Sequence, residues 1–338
     1  MNYEEFLEYI KGNLAKVMEH REHICKDKSE NEPREDRKQE ETGNSYEVEL
    51  HKIIKNNGIT LDGLTIRKTG ECIGPNIYLN SYFESYQMGK PLSVIMEEII
   101  SCYESAKEEK MFEIEDIRDF SAVKNKIVLR LVNYEKNKEQ LKNCPYKKYL
   151  DLAVTFRYVA GKDPAGIASS LISNTEFNMW NIQLEELYQI ALFNTMREFP
   201  WQMNSLAKVI SDCLKDRFPE ILPDEVYADV DKIRNKEDGV SMYVLTNDTG
   251  INGATCILYD NVIKHFAKVQ ESNIFILPSS IHEVMLVPEN TETEPEFLIS
   301  LVVEANQSAV GLIDLLSDNI YYYDREKDQI YIYASNIH

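Results

Sequence analysis

The amino-acid sequence predicts an α+β protein with mixed, mainly antiparallel sheets, packed helices and two sub-domains. Two observations lead to this prediction. Strand-like segments follow one another across short turn sequences instead of alternating singly with helices, which is typical of antiparallel sheets. The chain also has 338 residues, of which 43% are hydrophobic and 28% charged, as in globular proteins large enough for two domains. We expect an N-terminal unit over residues 1–143 and a C-terminal unit over residues 144–338.

The N-terminal unit opens with a helix and a charged segment. Phe6, Ile10 and Leu14 recur at helical spacing, which predicts an amphipathic helix over residues 3–24. Residues 26–45 contain no hydrophobic side chain and carry charges of both signs, so they cannot bury enough apolar surface to become ordered. We therefore expect a mobile, charged loop there.

Turn sequences and the spacing of apolar residues predict the remaining elements of the N-terminal unit. Two β-type runs flank Asn56-Asn57-Gly58, a sequence that favours a hairpin turn. Proline starts helices readily, and Pro91 precedes apolar residues at helical spacing. The predicted elements are the hairpin, a short strand over residues 75–79, a helix from Pro91 and a strand over residues 126–132.

The sequence of the C-terminal unit predicts a longer series of strands and helices. Residues 149–159 contain few strand breakers, which predicts one long strand. The helix predicted over residues 183–199 is apolar on most faces, so we expect it deep in the core. The other predicted elements are a helix over 204–218, a strand over 240–247, a turn at Asp248–Gly250, a helix over 260–269, strands over 273–277 and 282–288, a helix over 296–305 and a terminal hairpin over 320–333.

The charge balance limits the partners of the chain. The 37 basic and 57 acidic residues give a formal net charge of -20, which repels the phosphates of nucleic acids and anionic lipid surfaces. The chain begins with an acidic segment instead of a secretory signal, and no apolar run is long enough to cross a bilayer. Its 6 cysteines form no C-x-x-C pair, which favours free thiols. We expect a cytoplasmic protein with neither nucleic-acid nor membrane partners.

The stretch ILPSSIHEV, residues 276–284, concentrates polar side chains in an apolar run. Proline and serine favour turns, so we expect Pro278–Ser280 to form one. We expect His282 to begin a strand with Glu283 on its opposite face, because side chains alternate along a strand. In this interpretation the polar residues of the stretch have structural roles.

The same stretch allows a catalytic alternative, in which His282 activates either Ser280 or Cys256 as a nucleophile. Two residues along a strand lie roughly 6.5–7 Å apart, too far for a direct serine–histidine hydrogen bond. A cysteine in an apolar segment is usually part of the core. The sequence contains no G-x-S-x-G nucleophile motif. The structural interpretation is therefore favoured, and a hydrolase-like enzyme remains the alternative.

Other candidate sites carry weaker signals. The stretch TGINGATC, residues 249–256, lacks the lysine–serine/threonine ending and the third glycine of phosphate-binding loops. Gly250 and Gly253 are therefore expected to supply turn conformations. His20 and His23 have i,i+3 spacing but no evident third ligand, so we predict no metal site and no cofactor. The candidate binding residues are Asn247, Gly250, Gly253, Ser279 and Glu283.

The C-terminal segment IYYYDREKDQIYIY is rich in tyrosine. Alternation along the last strand places Tyr331 and Tyr333 on one face and Ile330 and Ile332 on the other. The tyrosine face is either a cross-strand packing surface or a contact surface for a partner. Packing is the favoured interpretation.

Several segments together resemble a family of proteins from anaerobic Gram-positive bacteria that is classed as a domain of unknown function. The matching segments are GLTIRK (Gly63–Lys68), PNIYL (Pro75–Leu79), YVLTN (Tyr243–Asn247), GINGATCILY (Gly250–Tyr259), ILPSSIHEVMLVP (Ile276–Pro288) and LSDNIYYYDR (Leu316–Arg325). The resemblance covers most of the chain and departs from it at residues 26–45. It implies a bacterial, cytoplasmic protein, and it supplies neither a ligand nor a catalytic residue.

These observations favour a non-enzymatic binding or regulatory protein. The reasons are the lack of a catalytic motif, the acidic composition and the tyrosine-rich hairpin. The expected partner is another protein or a small molecule. The alternative enzyme requires a polar pocket that brings His282 together with a nucleophile.

Overall fold

A computed structural model of the chain describes residues 1–29, 46–69, 75–108, 117–163, 166–217, 241–291 and 293–334. Most of the charged loop predicted over residues 26–45 lies outside the described residues, which omit 30–45. Residues 26–29 are helical, because the first helix continues to Ser29. The predicted start of the loop was therefore too early.

The chain divides into two compact units. The first contains Met1–Lys55 and Ile59–Met111, and the second contains Asn56–Gly58 and Phe112–His338. The division between the units thus follows residue 111, whereas the sequence suggested residue 143. The reason is long-range pairing, since the strand Ile127–Asn133 pairs with residues 152–158 across the suggested boundary.

The first unit packs helices on an antiparallel sheet in which the described strands have the order β1-β2-β3. Phe6, Ile10 and Leu14 lie on one face of the first helix and are fully buried with Ile95 and Ile99 of the third. The apolar period of both helices is therefore the cause of their packing. The elements are α1 (Tyr3–Ser29), β1 (Tyr46–Ile54), β2 (Thr60–Lys68), β3 (Asn76–Tyr78), α2 (Asn80–Gln87) and α3 (Leu92–Glu108).

The predicted hairpin is confirmed in the first two strands. Ile54 pairs with Thr60, and the left-handed backbone that the connection requires is found at Asn57, with φ 60°, and at Gly58, with φ 70°. The short third strand and the helix after Pro91 are confirmed as well. Helix α2 was not predicted.

The second unit contains two antiparallel sheets in its described part. In the smaller sheet β4 and β5 flank β6, and β7 pairs with the far end of β6. In the larger sheet the strand order is β13-β12-β10-β11-β9-β8. The strands are β4 (Ile127–Asn133), β5 (Tyr146–Tyr149), β6 (Leu152–Asp163), β7 (Gly166–Leu171), β8 (Trp201–Ser205), β9 (Tyr243–Asn247), β10 (Ile274–Leu277), β11 (Val284–Pro288), β12 (Ile320–Asp324) and β13 (Gln329–Ala334).

The helices of the second unit cover these sheets. They are α4 (Phe120–Val123), α5 (Lys138–Leu141), α6 (Asn174–Trp180), α7 (Leu184–Glu198), α8 (Leu206–Arg217), α9 (Val262–Val269) and α10 (Pro295–Ser308). One face of the larger sheet joins the smaller sheet and α7 in a common apolar core. Its other face packs against Leu298 and Val302 of α10. The mixed, mainly antiparallel α+β architecture is confirmed.

Helix α7 is not apolar on most faces, contrary to the prediction. Its buried side includes Asn194 and Thr195, and Phe193 is 66% exposed. Asn194 Nδ2 donates to the carbonyl of Ile127 at 2.9 Å, and Thr195 Oγ1 accepts the N–H of Leu129 at 2.8 Å. The helix therefore satisfies backbone groups along the free edge of β4, which requires polar side chains.

The single strand predicted over residues 149–159 is a hairpin instead. β5 ends at Tyr149 and β6 begins at Leu152, because Leu150 adopts a left-handed φ of 54° that reverses the chain. The hairpin of β12 and β13 is confirmed. Tyr333 packs edge-on against Phe275 at a ring distance of 5.2 Å, in agreement with the favoured packing role.

Candidate functional site

The residues Pro278–Ser280 do not form the predicted turn. They are extended and pair with residues 314–317: the N–H groups of Leu316 and Ser317 donate to the carbonyls of Ser279 and Pro278, each at 2.9 Å. Ser280 forms an isolated bridge with Leu315. Because this distant segment satisfies the backbone, the chain turns only after Ser280, and β11 begins at Val284 instead of His282.

His282 holds three segments together. Its Nδ1 accepts the N–H of Asn252 at 3.3 Å, and its Nε2 lies 3.3 Å from Oδ1 of Asp314. Its carbonyl accepts the hydroxyl of Thr246 at 2.8 Å. Both ring nitrogens therefore already have neighbours that fix the ring. The side chain is 31% exposed, so it lies at the margin of the core.

The other polar residues of this stretch also make local contacts. Ser280 is buried, and its Oγ accepts the N–H of His282 at 3.0 Å. Burial raises the pKa of the Glu283 carboxyl above its usual value, and the neighbouring His282 opposes this shift. The predicted placement of Glu283 on the strand face opposite His282 was wrong, because both residues precede the strand.

Cys256 lies in a short 3-10 helix, Gly253–Leu258, and is fully buried. Its Sγ donates to the carbonyl of Thr246 at 3.3 Å. Burial raises the pKa of the thiol to about 12, so the thiolate that a nucleophile requires is rare at neutral pH. The contacts found for Cys256, Ser280 and His282 thus favour structural roles.

The loop before this 3-10 helix has packing roles of its own. A Cβ added to Gly253 would lie 2.1 Å from Oγ1 of Thr246 and 2.4 Å from the carbonyl of His282, so the close approach of backbones requires glycine. Gly250 has a φ of 68°, as expected for a turn. Asn247 is buried, and its Oδ1 accepts hydrogen bonds from the N–H and the hydroxyl of Thr249.

Asn247 also lines a site that the sequence did not indicate. Arg130 of β4 and Arg157 of β6 project from the same face of the smaller sheet, because Arg157 pairs with Val128 and Arg130 with Thr155. Diagonal neighbours of this kind lie roughly 7–8 Å apart between Cα atoms. The two guanidinium groups are therefore close enough to share one ligand.

The two arginines differ in their contacts. Nε of Arg157 donates to Oγ of Ser169 at 2.9 Å, and Nη2 donates to the carbonyl of the same residue at 2.7 Å. The side chain of Arg130 makes no hydrogen bond or ion pair within the described residues, and its Nε is buried without a partner. Burial lowers the pKa of Arg130, and the nearby carboxylate of Asp314 acts in the opposite direction.

The positive charge of this cluster persists at neutral pH. Burial, followed by the repulsion of Arg130, lowers the pKa of Arg157 to about 10, which leaves the guanidinium protonated. A buried, unpaired cation beside a second cation is unfavourable unless an anion or water accepts its hydrogen bonds.

A cavity of about 20 Å³ lies at the two arginines. This volume holds about one water-sized group. We call the site the arginine pocket, and its lining includes Arg130, Arg157, Ser169, Asn247, Ile251 and Asn252.

The sequence carried a signal for this site. Arg130 is the single charged residue of the segment IVLRLV, and Arg157 that of LAVTFRYV. A charged residue between apolar neighbours in a predicted strand must have a partner or reach water. The pattern could have marked each arginine as unusual, but not the proximity of the two.

Comparison with known proteins places the chain in one protein family. A model of a family described as a family of unknown function, DUF5688, matches residues 3–325. The chain belongs to the DUF5688 family. This confirms the resemblance to a domain of unknown function over most of the chain. Neither the comparison with curated proteins nor the comparison with solved structures found a match.

Two absences hold for the described residues of this DUF5688 member. Among them, no helix has the length and apolar character needed to cross a membrane. No group of three or more histidine, cysteine or acidic side chains with an arrangement suited to a metal ion occurs in the same part of the chain.

Proposed function

We propose that the protein is a non-enzymatic binding protein and that the arginine pocket is its ligand site for a small anion. The observation that carries the proposal is the buried Nε of Arg130, which lacks an acceptor within the described residues. An anion in the pocket would accept this hydrogen bond and offset the charge of both guanidinium groups.

Local charge explains how an acidic protein would attract an anion. The net charge of -20 is spread over the whole chain, and charges beyond about 8 Å are largely screened at physiological ionic strength. The arginine pocket combines Arg130 and Arg157, and no acidic side chain is among its described lining residues. Asp314, whose carboxylate acts on Arg130, lies 3.3 Å from Nε2 of His282. An anion that enters the pocket therefore meets a local excess of positive charge.

The neighbouring polar groups suit binding better than catalysis. Ser169 is held by Arg157, and Asn247 is held by its own loop, so the pocket is largely preformed. The nucleophile candidates Cys256 and Ser280 make hydrogen bonds to the backbone. Preformed polar groups without an activated nucleophile are typical of a binding site.

The experiment is calorimetric titration of the full chain with acetate, inorganic phosphate and chloride in a buffer of low ionic strength. The test variant is Arg130→Gln, and the matched control is Arg325→Gln, which removes the same charge from an exposed residue. Losing a charged hydrogen bond should weaken anion binding at least about tenfold in the test variant and leave the control unchanged.

Two results contradict the proposal. If none of the three anions releases heat on binding or raises the melting temperature of the wild-type chain, the arginine pocket is not an anion site. If an anion binds equally well to the Arg130→Gln and Arg325→Gln variants, it binds elsewhere. Circular dichroism of both variants shows that each is folded.

A further inference from the structure

We infer that the anion is the carboxylate of a small molecule with a short hydrocarbon chain. This inference rests on the proposed function, since it assumes that the arginine pocket binds an anion. It adds the chemical class of the ligand. The evidence for this class is the size of the arginine pocket and a second cavity that adjoins it.

The size of the arginine pocket favours a carboxylate. The cavity of about 20 Å³ accommodates about one water-sized group, so it encloses one end of a ligand and not a whole tetrahedral oxyanion. A carboxylate is planar and can place a single oxygen into such a space. That oxygen can accept a charge-assisted hydrogen bond from Nε of Arg130.

An adjoining cavity offers space for a hydrocarbon chain. It has a volume of about 400 Å³, within the usual range of about 300–1,000 Å³ for small-molecule sites, and apolar atoms dominate its lining. Val128 and Val159 line both this cavity and the arginine pocket, so the two adjoin on one face of the smaller sheet. We call this cavity the valine groove, and its lining includes Asn125, Lys126, Val128, Val159, Ala160 and Gly161.

The rim of the valine groove favours one carboxylate over two. Arg197, a cation at this rim, donates through Nε to Oε1 of Glu198 at 2.9 Å and through Nη2 to the carbonyl of Asn125 at 3.2 Å. Its charge is therefore already balanced. A ligand that lies with its carboxylate at Arg130 and its chain along Val159 leaves no second charge in the apolar cavity.

The experiment is a chain-length series of carboxylates titrated into the full wild-type chain by calorimetry: acetate, butyrate and hexanoate. Each methylene group that leaves water should tighten binding about fourfold, so butyrate should bind about fifteenfold more tightly than acetate. n-Butylamine, which has a similar chain and the opposite charge, should not bind. Inorganic phosphate should bind more weakly than butyrate.

A substitution in the valine groove distinguishes the contribution of the ligand's hydrocarbon chain from that of its carboxylate. Val159→Ser places a hydroxyl on the groove and leaves both arginines intact, so it should reduce the ratio of butyrate affinity to acetate affinity. Val269→Ser is the matched control, because Val269 is exposed and outside both cavities. Melting curves check that both variants fold.

The possible outcomes distinguish this inference from the proposed function. If acetate binds through Arg130 but affinity does not rise with chain length, or phosphate binds more tightly than butyrate, the carboxylate inference is wrong and the anion site stands. If affinity rises with chain length equally in wild type and Val159→Ser, the chain does not lie in the valine groove. If no anion binds, the proposed function itself fails.

Discussion

Two partly buried charges in the second unit differ in their surroundings. The Asp151 carboxylate accepts hydrogen bonds from the hydroxyl of Ser317 at 2.7 Å, from Nδ2 of Asn319 at 2.9 Å and from the hydroxyl of Tyr321 at 2.5 Å. The Arg130 guanidinium has no such partner within the described residues.

The difference separates a structural charge from a binding charge. Asp151 follows β5 in the tight turn of the smaller sheet, whereas Tyr321 belongs to β12 of the larger sheet, so their hydrogen bonds connect the two sheets. A carboxylate that already accepts three hydrogen bonds has little left to offer a ligand. Arg130, in contrast, has donors to offer and is accessible through a cavity.

The largest effect is expected from removing the structural charge. Asp151→Ala leaves the hydroxyl of the fully buried Tyr321 and the donors of Ser317 and Asn319 without their acceptor. We expect the free energy of unfolding to fall by about 3 kcal/mol, because buried unsatisfied donors cost roughly 1–3 kcal/mol each and solvent relieves part of the loss. Urea denaturation measures the change.

Asp260→Ala serves as the control, since Asp260 is exposed. It should change the free energy of unfolding by less than about 0.5 kcal/mol. Equal stability of the two variants would show that the Asp151 hydrogen bonds do not hold the sheets together.

The same cluster should destabilise the protein at alkaline pH. Burial, with the Asp151 carboxylate beside it, raises the pKa of Tyr321 well above 10. The unfolded state therefore loses the phenolic proton first, so the contribution of Tyr321 is complete below about pH 10 and is lost as the pH rises towards the folded-state pKa. Between about pH 10 and pH 11, Tyr321 alone should remove about 1 kcal/mol.

Tyr321→Phe isolates this contribution. Other buried tyrosines with raised pKa values, such as Tyr149 and Tyr259, remain in the variant and cancel in the comparison. Urea denaturation at several pH values should give the variant a shallower loss of stability above pH 10. Parallel pH profiles would mean that Tyr321 ionises as freely in the folded protein as in the unfolded chain.

The binding charge should contribute little to stability. Arg130→Met replaces an unpaired buried cation by an apolar chain of similar length, so we expect the free energy of unfolding to stay the same or rise by about 1 kcal/mol. Arg157→Met, in contrast, breaks two hydrogen bonds to Ser169 and should lower it by about 1 kcal/mol. A large loss of stability in Arg130→Met would place Arg130 with Asp151 among the structural charges.

A comparably small effect is expected at His282. His282→Ala removes one hydrogen bond to the N–H of Asn252 and one contact with Asp314, both partly exposed, so stability should fall by about 1 kcal/mol. The melting temperature reports this change. An unchanged melting temperature together with lost acetate binding would instead assign His282 to the ligand site.

The amino-acid sequence by itself determined the elements whose signals are local. The apolar period of α1, the Asn56–Gly58 turn and the alternation of the terminal hairpin each follow from neighbouring residues. These signals depend on the backbone preferences and faces of single segments. The predicted element boundaries therefore agree with the structure to within a few residues, except where a helix continues or a strand is interrupted.

Tertiary structure decided the contacts between distant segments. Pro278–Ser280 is extended because residues 314–317 pair with it, although its composition favours a turn. Arg130 and Arg157 meet because β4 pairs with β6 in one register, and a shift of one residue would place them on opposite faces. Long-range pairing sets that register, so the sequence could mark two unusual arginines while only the folded sheet brings them together into one pocket.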